Sequence, residues 1–156
     1  MKTAALLLSI ATLHGVALAA LPLDAARAQD APAAAAPASL TITFQGITQR
    51  SGELRGQLFA SEAAYGGRGG EPAAVFALPV AGDSVSTTVT GLEPGRYAIR
   101  VFHDVDGDGA MATNPFGIPT EPFAFSNDAR GAFGPAAWSD AAFDVDGETV
   151  TAITID

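Results

Sequence analysis

The chain has 156 residues, a formal net charge of −9 and no cysteine. That length allows one ordinary domain beside a processed N-terminus, and the lack of thiols excludes a disulfide framework and thiolate chemistry. Basic residues are few and scattered, so no surface can track a phosphate backbone and nucleic acid is excluded as a partner.

Residues 1–28 read as a secretory signal. Lys2 supplies the positive start, Ala4 to Leu21 an apolar run, and Pro22 a helix breaker. Ala26-Arg27-Ala28, before Gln29, is a small-x-small cleavage site preferred over Ala17-Leu18-Ala19. The apolar run is near the minimum for spanning a bilayer, so an uncut anchor is the competing reading. Cleavage removes His14 and leaves His103 as the single histidine. No later stretch is apolar for long enough to span, so no transmembrane segment is expected after cleavage. A secreted or periplasmic location follows. Residues 29–38, with Pro32 and Pro37, form an Ala/Pro-rich tether, and residues 39–156 form the folded domain.

Leu40, Ile42 and Phe44 alternate with polar neighbours in a first strand, and Leu54, Leu58 and Ala60 alternate with Arg55, Gln57 and Phe59 in a second. Gly52 lies between them, which predicts a hairpin. Ser61 is placed to cap one helical turn before the glycine-rich run 66–70. That run lacks the lysine and the strand–helix context of a phosphate loop. Phe76, Leu78 and Val80 are the inward set of a third strand, which Pro79 assigns to an edge. Val85, Thr87 and Val89 alternate in a fourth. Pro94-Gly95 suits the centre of a type II turn, and Tyr97 just after it is placed to tie its hydroxyl to backbone as a corner tyrosine. A fifth strand runs from Tyr97 to Asp104. Near the C-terminus a three-residue loop, Asp146 to Glu148, is expected to pair Phe143 with Thr151 and Ala141 with Ile153. About seven strands with frequent turn signals and no long amphipathic helix predict an all-β, antiparallel immunoglobulin-like sandwich. A small barrel is the alternative.

After the fifth strand, Asp104, Asp106 and Asp108 alternate ahead of Gly109, like the first half of a calcium loop. Counted from Asp104, the ninth position is Ala112 and the twelfth Pro115, so the bidentate glutamate of an EF-hand is missing. Glu121, Asn114, Asp128 or carbonyls remain to complete a different cage, and a solvated acidic turn competes with calcium. One histidine makes no zinc cluster. His103 and Asp104 are neighbours on a strand and point to opposite faces, so they make a poor base and orienter for a Ser126 nucleophile. The expected role of His103 is to pin the long loop to the sheet, and that of Arg130 is to brace it through Asp128 or Glu121. The segment 114–138 carries Phe116, Phe123, Phe125, Phe133 and Trp138. Its length and aromatics predict an ordered flap over the sandwich, with a ligand surface as the alternative.

Several short blocks in order carry a resemblance over residues 40–156: Gly91-Leu92-Glu93-Pro94-Gly95-Arg96-Tyr97, His103-Asp104 before a Gly/Asp loop, Gly117-Ile118-Pro119-Thr120-Glu121, Phe125-Ser126-Asn127 to Gly131, Phe133-Gly134-Pro135, and Asp140-Ala141-Ala142-Phe143. The chain resembles the secreted bacterial proteins grouped as domain-of-unknown-function family 2141, and its first block resembles the turn and strand of prealbumin-like sandwiches. The resemblance implies architecture and export and no activity. It also implies a Leu-Asp pair where this chain has Met111-Ala112, a departure that removes one oxygen ligand. The expectation is an exported module that binds a protein or small ligand, or gives structural support, without catalysis. A calcium-stabilised domain and a hydrolase using His103 and nearby carboxylates remain as alternatives.

Overall fold

A computed structural model describes residues 36–156; the expected signal segment and most of the tether lie outside the described residues. Eight strands build two sheets. Strands β1 (Ala38–Gln45), β4 (Ser84–Leu92) and β8 (Glu148–Thr154) form one sheet in the order β4-β1-β8. Strands β2 (Glu53–Phe59), β3 (Ala74–Pro79), β5 (Gly95–Asp104), β6 (Phe123–Phe125) and β7 (Phe143–Val145) form the other, in the order β3-β2-β5-β6, with β7 also on β5. All pairs are antiparallel except β1 with β8. The fold is the expected all-β sandwich.

The alternation predicted the inner faces. Leu40, Ile42, Phe44, Leu54, Leu58, Ile99 and Ile153 are fully buried between the sheets. Each such side chain contributes about 1.5–3 kcal/mol relative to exposure. Pro79 does end an edge strand, and Ser61 caps α1 (Glu62–Tyr65) by accepting from the Ala64 amide. Tyr97 donates to the Glu93 carbonyl at 2.8 Å, so it is a corner tyrosine. The type II turn is not formed: the positive φ falls at Gly91, at 75°, and Gly95 starts β5.

Two predicted hairpins are absent. β1 does not pair with β2; the linker between them crosses from one sheet to the other and buries Ile47 at 4% exposure. A tight hairpin would leave that side chain in water. β7 does not pair with β8. Phe143 sits opposite Tyr97 on β5, and β8 runs parallel to β1 with Thr151 opposite Ile42. Ala141 is in α2 (Trp138–Ala141), not in a strand.

Phe59 was placed on the outward face, yet it is buried. The outer face of the five-stranded sheet carries a second apolar cluster, in which Phe59, Tyr65, Ala98, Phe125 and Ala141 pack beneath α1 and α2. A 3-10 turn at Ser126–Asp128 links β6 to this layer. No helix among the described residues is long and apolar enough to cross a membrane.

Candidate functional site

The aspartate loop closes on itself. Asp104 is fully buried; one carboxylate oxygen accepts from the Gly107 amide at 2.8 Å and the other from Gly109 at 2.9 Å. Both glycines have positive φ, which aims their N–H groups inward. Asp106 accepts from the Asp108 amide and Asp108 from Ala110, two successive Asx turns. Glu121 spans the loop base, accepting from Val105 at 2.8 Å and from Ala112 at 2.9 Å. The ligand oxygens of Asp104, Asp106 and Asp108 lie within 4.8 Å of one another. Both oxygens of Asp104 and of Glu121 already serve backbone, however, and Arg55 stands 3.8 Å from Asp104.

His103 is buried on the inner side, with Nε2 2.7 Å from the Ser51 carbonyl. It pins the β2 approach, not the long loop as expected; the loop is held instead by the His103 amide, which donates to Pro122. Gly52, next to Ser51, has φ 70°, and a Cβ there would stand 2.0 Å from the Asp104 carbonyl. Ser126 is buried, accepting from the Ile99 amide at 2.9 Å and donating to the Ala141 carbonyl at 2.6 Å. His103 Nε2 and the Ser126 hydroxyl are thus committed to backbone and share no hydrogen bond. Arg130 pairs with Asp156, which raises its already high pKa. Asp128 instead accepts from the Thr154 amide. The brace therefore reaches Asp156, beyond β8, not Asp128 or Glu121. His103, Asp104, Glu121 and Arg130 are tie points of the fold and do not converge on one concavity.

Arg130 lines a small hollow beside Asp128 and Asp156; a larger concavity lies on the outer face of the five-stranded sheet. Strand register sets two rows across it: Val75, Gln57, Arg100 and Phe125, and beside them Ala77, Arg55, Phe102 and Phe123. Loop residues Met111, Phe116 and Ile118 flank this floor on one part and Phe133 on another, enclosing a groove of about 1260 Å³. The aromatic flap is thereby divided. Phe123, Phe125 and Trp138 pack down, whereas Phe116 is 88% exposed and Phe133 fully exposed. Gly131 shapes the second loop, for a Cβ there would meet the Gly134 carbonyl at 1.9 Å.

Arg100 stands on the floor with its guanidinium carbon 4.1 Å from the centre of the Tyr65 ring and 5.6 Å from that of Phe59. Tyr65 also meets Trp138 edge-on at 5.7 Å and donates to the Ala136 carbonyl. Burial raises the Tyr65 pKa, with Arg100 pulling the other way. Arg55 in the neighbouring row is paired with Glu53 and Asp104. Sequence reading missed Arg100, Gln57 and Val75 as a set. Their outward alternation was legible, but only the register places them side by side.

The family model described as "Uncharacterized protein conserved in bacteria (DUF2141)" matches residues 42–153, and the chain belongs to that family. Neither a curated protein nor a solved structure matches it.

Proposed function

We propose that this member of the DUF2141 family is an exported, non-catalytic binding module whose site is the groove on the outer face of the five-stranded sheet. One observation carries the reading. Phe116, Phe133, Ile118 and Val75 are exposed large apolar side chains, and all four line one groove. Scattered apolar residues need no explanation, but a contiguous concave set marks a binding surface. The rigid sheet supplies the floor and loops supply the walls, the usual division between scaffold and site. Export rests on residues 1–28, and N-terminal sequencing of the mature protein is expected to begin at Gln29.

The test uses Nile red, a neutral apolar dye that brightens when it leaves water. The wild-type protein is expected to enhance its fluorescence. The double variant Phe116→Ser/Phe133→Ser is expected to lose most of that enhancement with an unchanged far-UV circular dichroism spectrum, since both positions are exposed. Equal enhancement by the two proteins would remove the groove as the site.

A second reading is a calcium-stabilised domain, supported by the approach of three carboxylates within 4.8 Å. It requires a melting temperature that rises in millimolar calcium and no longer rises in Asp106→Ala. An unchanged melting temperature discards it.

A further inference from the structure

We infer that the groove is built for a single-chain fatty carboxylate, with the Arg100 guanidinium receiving the carboxylate and the apolar loops covering the chain. The inference rests on the groove being a binding surface and adds the class of ligand. Its first support is charge. The chain carries a net charge of −9, yet no residue lining the groove is acidic. Of the six arginines among the described residues, Arg55, Arg68, Arg96 and Arg130 pair with carboxylates. Arg50 is exposed at the surface, and Arg100 is half-buried without an acidic partner. Its Nε is shielded from water and has no hydrogen-bond partner. The Tyr65 and Phe59 rings offset part of that deficit by cation–π attraction. The ring faces accept no in-plane hydrogen bond, so beyond the Tyr65 hydroxyl, which Arg100 also approaches, the guanidinium is most strongly completed by an oxyanion.

The second support is the scarcity of other polar groups. Arg55, Gln57 and Arg100 are the only polar side chains on the lining, and Arg55 is already paired. A sugar would find too few donors and acceptors there, and a doubly charged phosphate would find one free cation. A ligand with one negative charge and a long apolar body matches both counts. The row Val75, Gln57, Arg100, Phe125 puts apolar surface at both ends of the cationic spot, so a chain can lie along the sheet from a head at Arg100.

The experiment is isothermal titration of the full chain with laurate and with dodecyltrimethylammonium, each below its micellar concentration, with Trp138 fluorescence as a second readout. The two probes share a twelve-carbon tail and differ in head charge, and the protein's bulk charge favours the cationic one. Laurate is expected to bind at least tenfold more tightly. Arg100→Gln is expected to erase that preference. Gln57→Glu, at an exposed position opposite Arg100 in the register, supplies Arg100 with an internal carboxylate and is expected to do the same. It keeps the test decisive if Arg100→Gln does not fold. Equal affinity for both heads, with Nile red still bound at Phe116 and Phe133, overturns the ligand class and leaves the groove standing. A laurate preference that survives both Arg100→Gln and Gln57→Glu overturns the role of Arg100. If neither amphiphile nor Nile red binds, the groove itself is not a site and the inference falls with it.

Discussion

Ser126→Ala probes the joint on which the outer layer hangs. β6 pairs with Arg100 to Phe102 and β7 with Gly95 to Tyr97, both along one edge of β5. Between them the Ile99 amide would lack a ladder partner, and the Ser126 hydroxyl takes it at 2.9 Å. The same hydroxyl donates to the Ala141 carbonyl at 2.6 Å, tying α2 to the sheet. Ile99, Ser126 and Ala141 are all fully buried, so alanine leaves one amide and one carbonyl without partner or water. A buried group so orphaned costs about 1–3 kcal/mol, and two give about 2–6 kcal/mol, a large share of the stability of an ordinary domain. Ser139→Ala is the control. Ser139 is exposed and bonds only to the neighbouring Asp140 side chain, so its loss is expected to stay within about 0.5 kcal/mol. Equilibrium urea unfolding followed by Trp138 fluorescence measures both. A Ser126→Ala midpoint equal to that of Ser139→Ala, at an unchanged slope, would refute the assignment of Ser126 as the structural bridge.

Other consequences follow from the same contacts. Glu121→Gln keeps one acceptor and turns a donor toward the other amide, Val105 or Ala112. It is expected to cost about 1–3 kcal/mol and to speed hydrogen exchange at those amides while Leu40 and Ile42 keep their protection. Gly52→Ala combines φ 70° with a Cβ 2.0 Å from the Asp104 carbonyl, so it belongs with the rare substitutions costing about 4 kcal/mol or more; a normal melting temperature would contradict the close approach. Tyr65 and Tyr97 have pKa values raised from 10.0, both chiefly by burial. The folded chain therefore holds more protons than the unfolded one at alkaline pH. Their contribution is intact below pH 10 and is lost as pH rises through the folded values. Tyr65→Phe and Tyr97→Phe are expected to flatten that alkaline limb in a series of unfolding midpoints.

Local features were open to reading because their physics is local. A run such as Leu40, Ile42, Phe44 faces one way whatever lies beside it, because the strand repeats every two residues. The Ser61 cap needs only the amide three residues on, and the Tyr97 hydroxyl reaches a carbonyl four residues back. The candidate site was read less well. His103, Asp104, Glu121 and Arg130 stood out by residue type, and each proved to be tied to backbone or to the C-terminal residue. The groove residues were inconspicuous singly: Arg100 in a strand is an ordinary outward residue until its neighbours are known.

The amino-acid sequence by itself determined that alternate residues from position 40 onward bury one face and that the chain is all-β, with a sandwich favoured over a barrel. Tertiary structure alone decided which strands meet. Alternation specifies a face and carries no information about the partner, so the hairpins expected at Gly52 and at Asp146 to Glu148 gave way to crossings that bury Ile47 and lay β8 parallel to β1. The same choice of partners set Gln57, Arg100 and Phe125 in one row, and so created a cationic spot on an apolar floor from residues 25 to 68 positions apart in the chain.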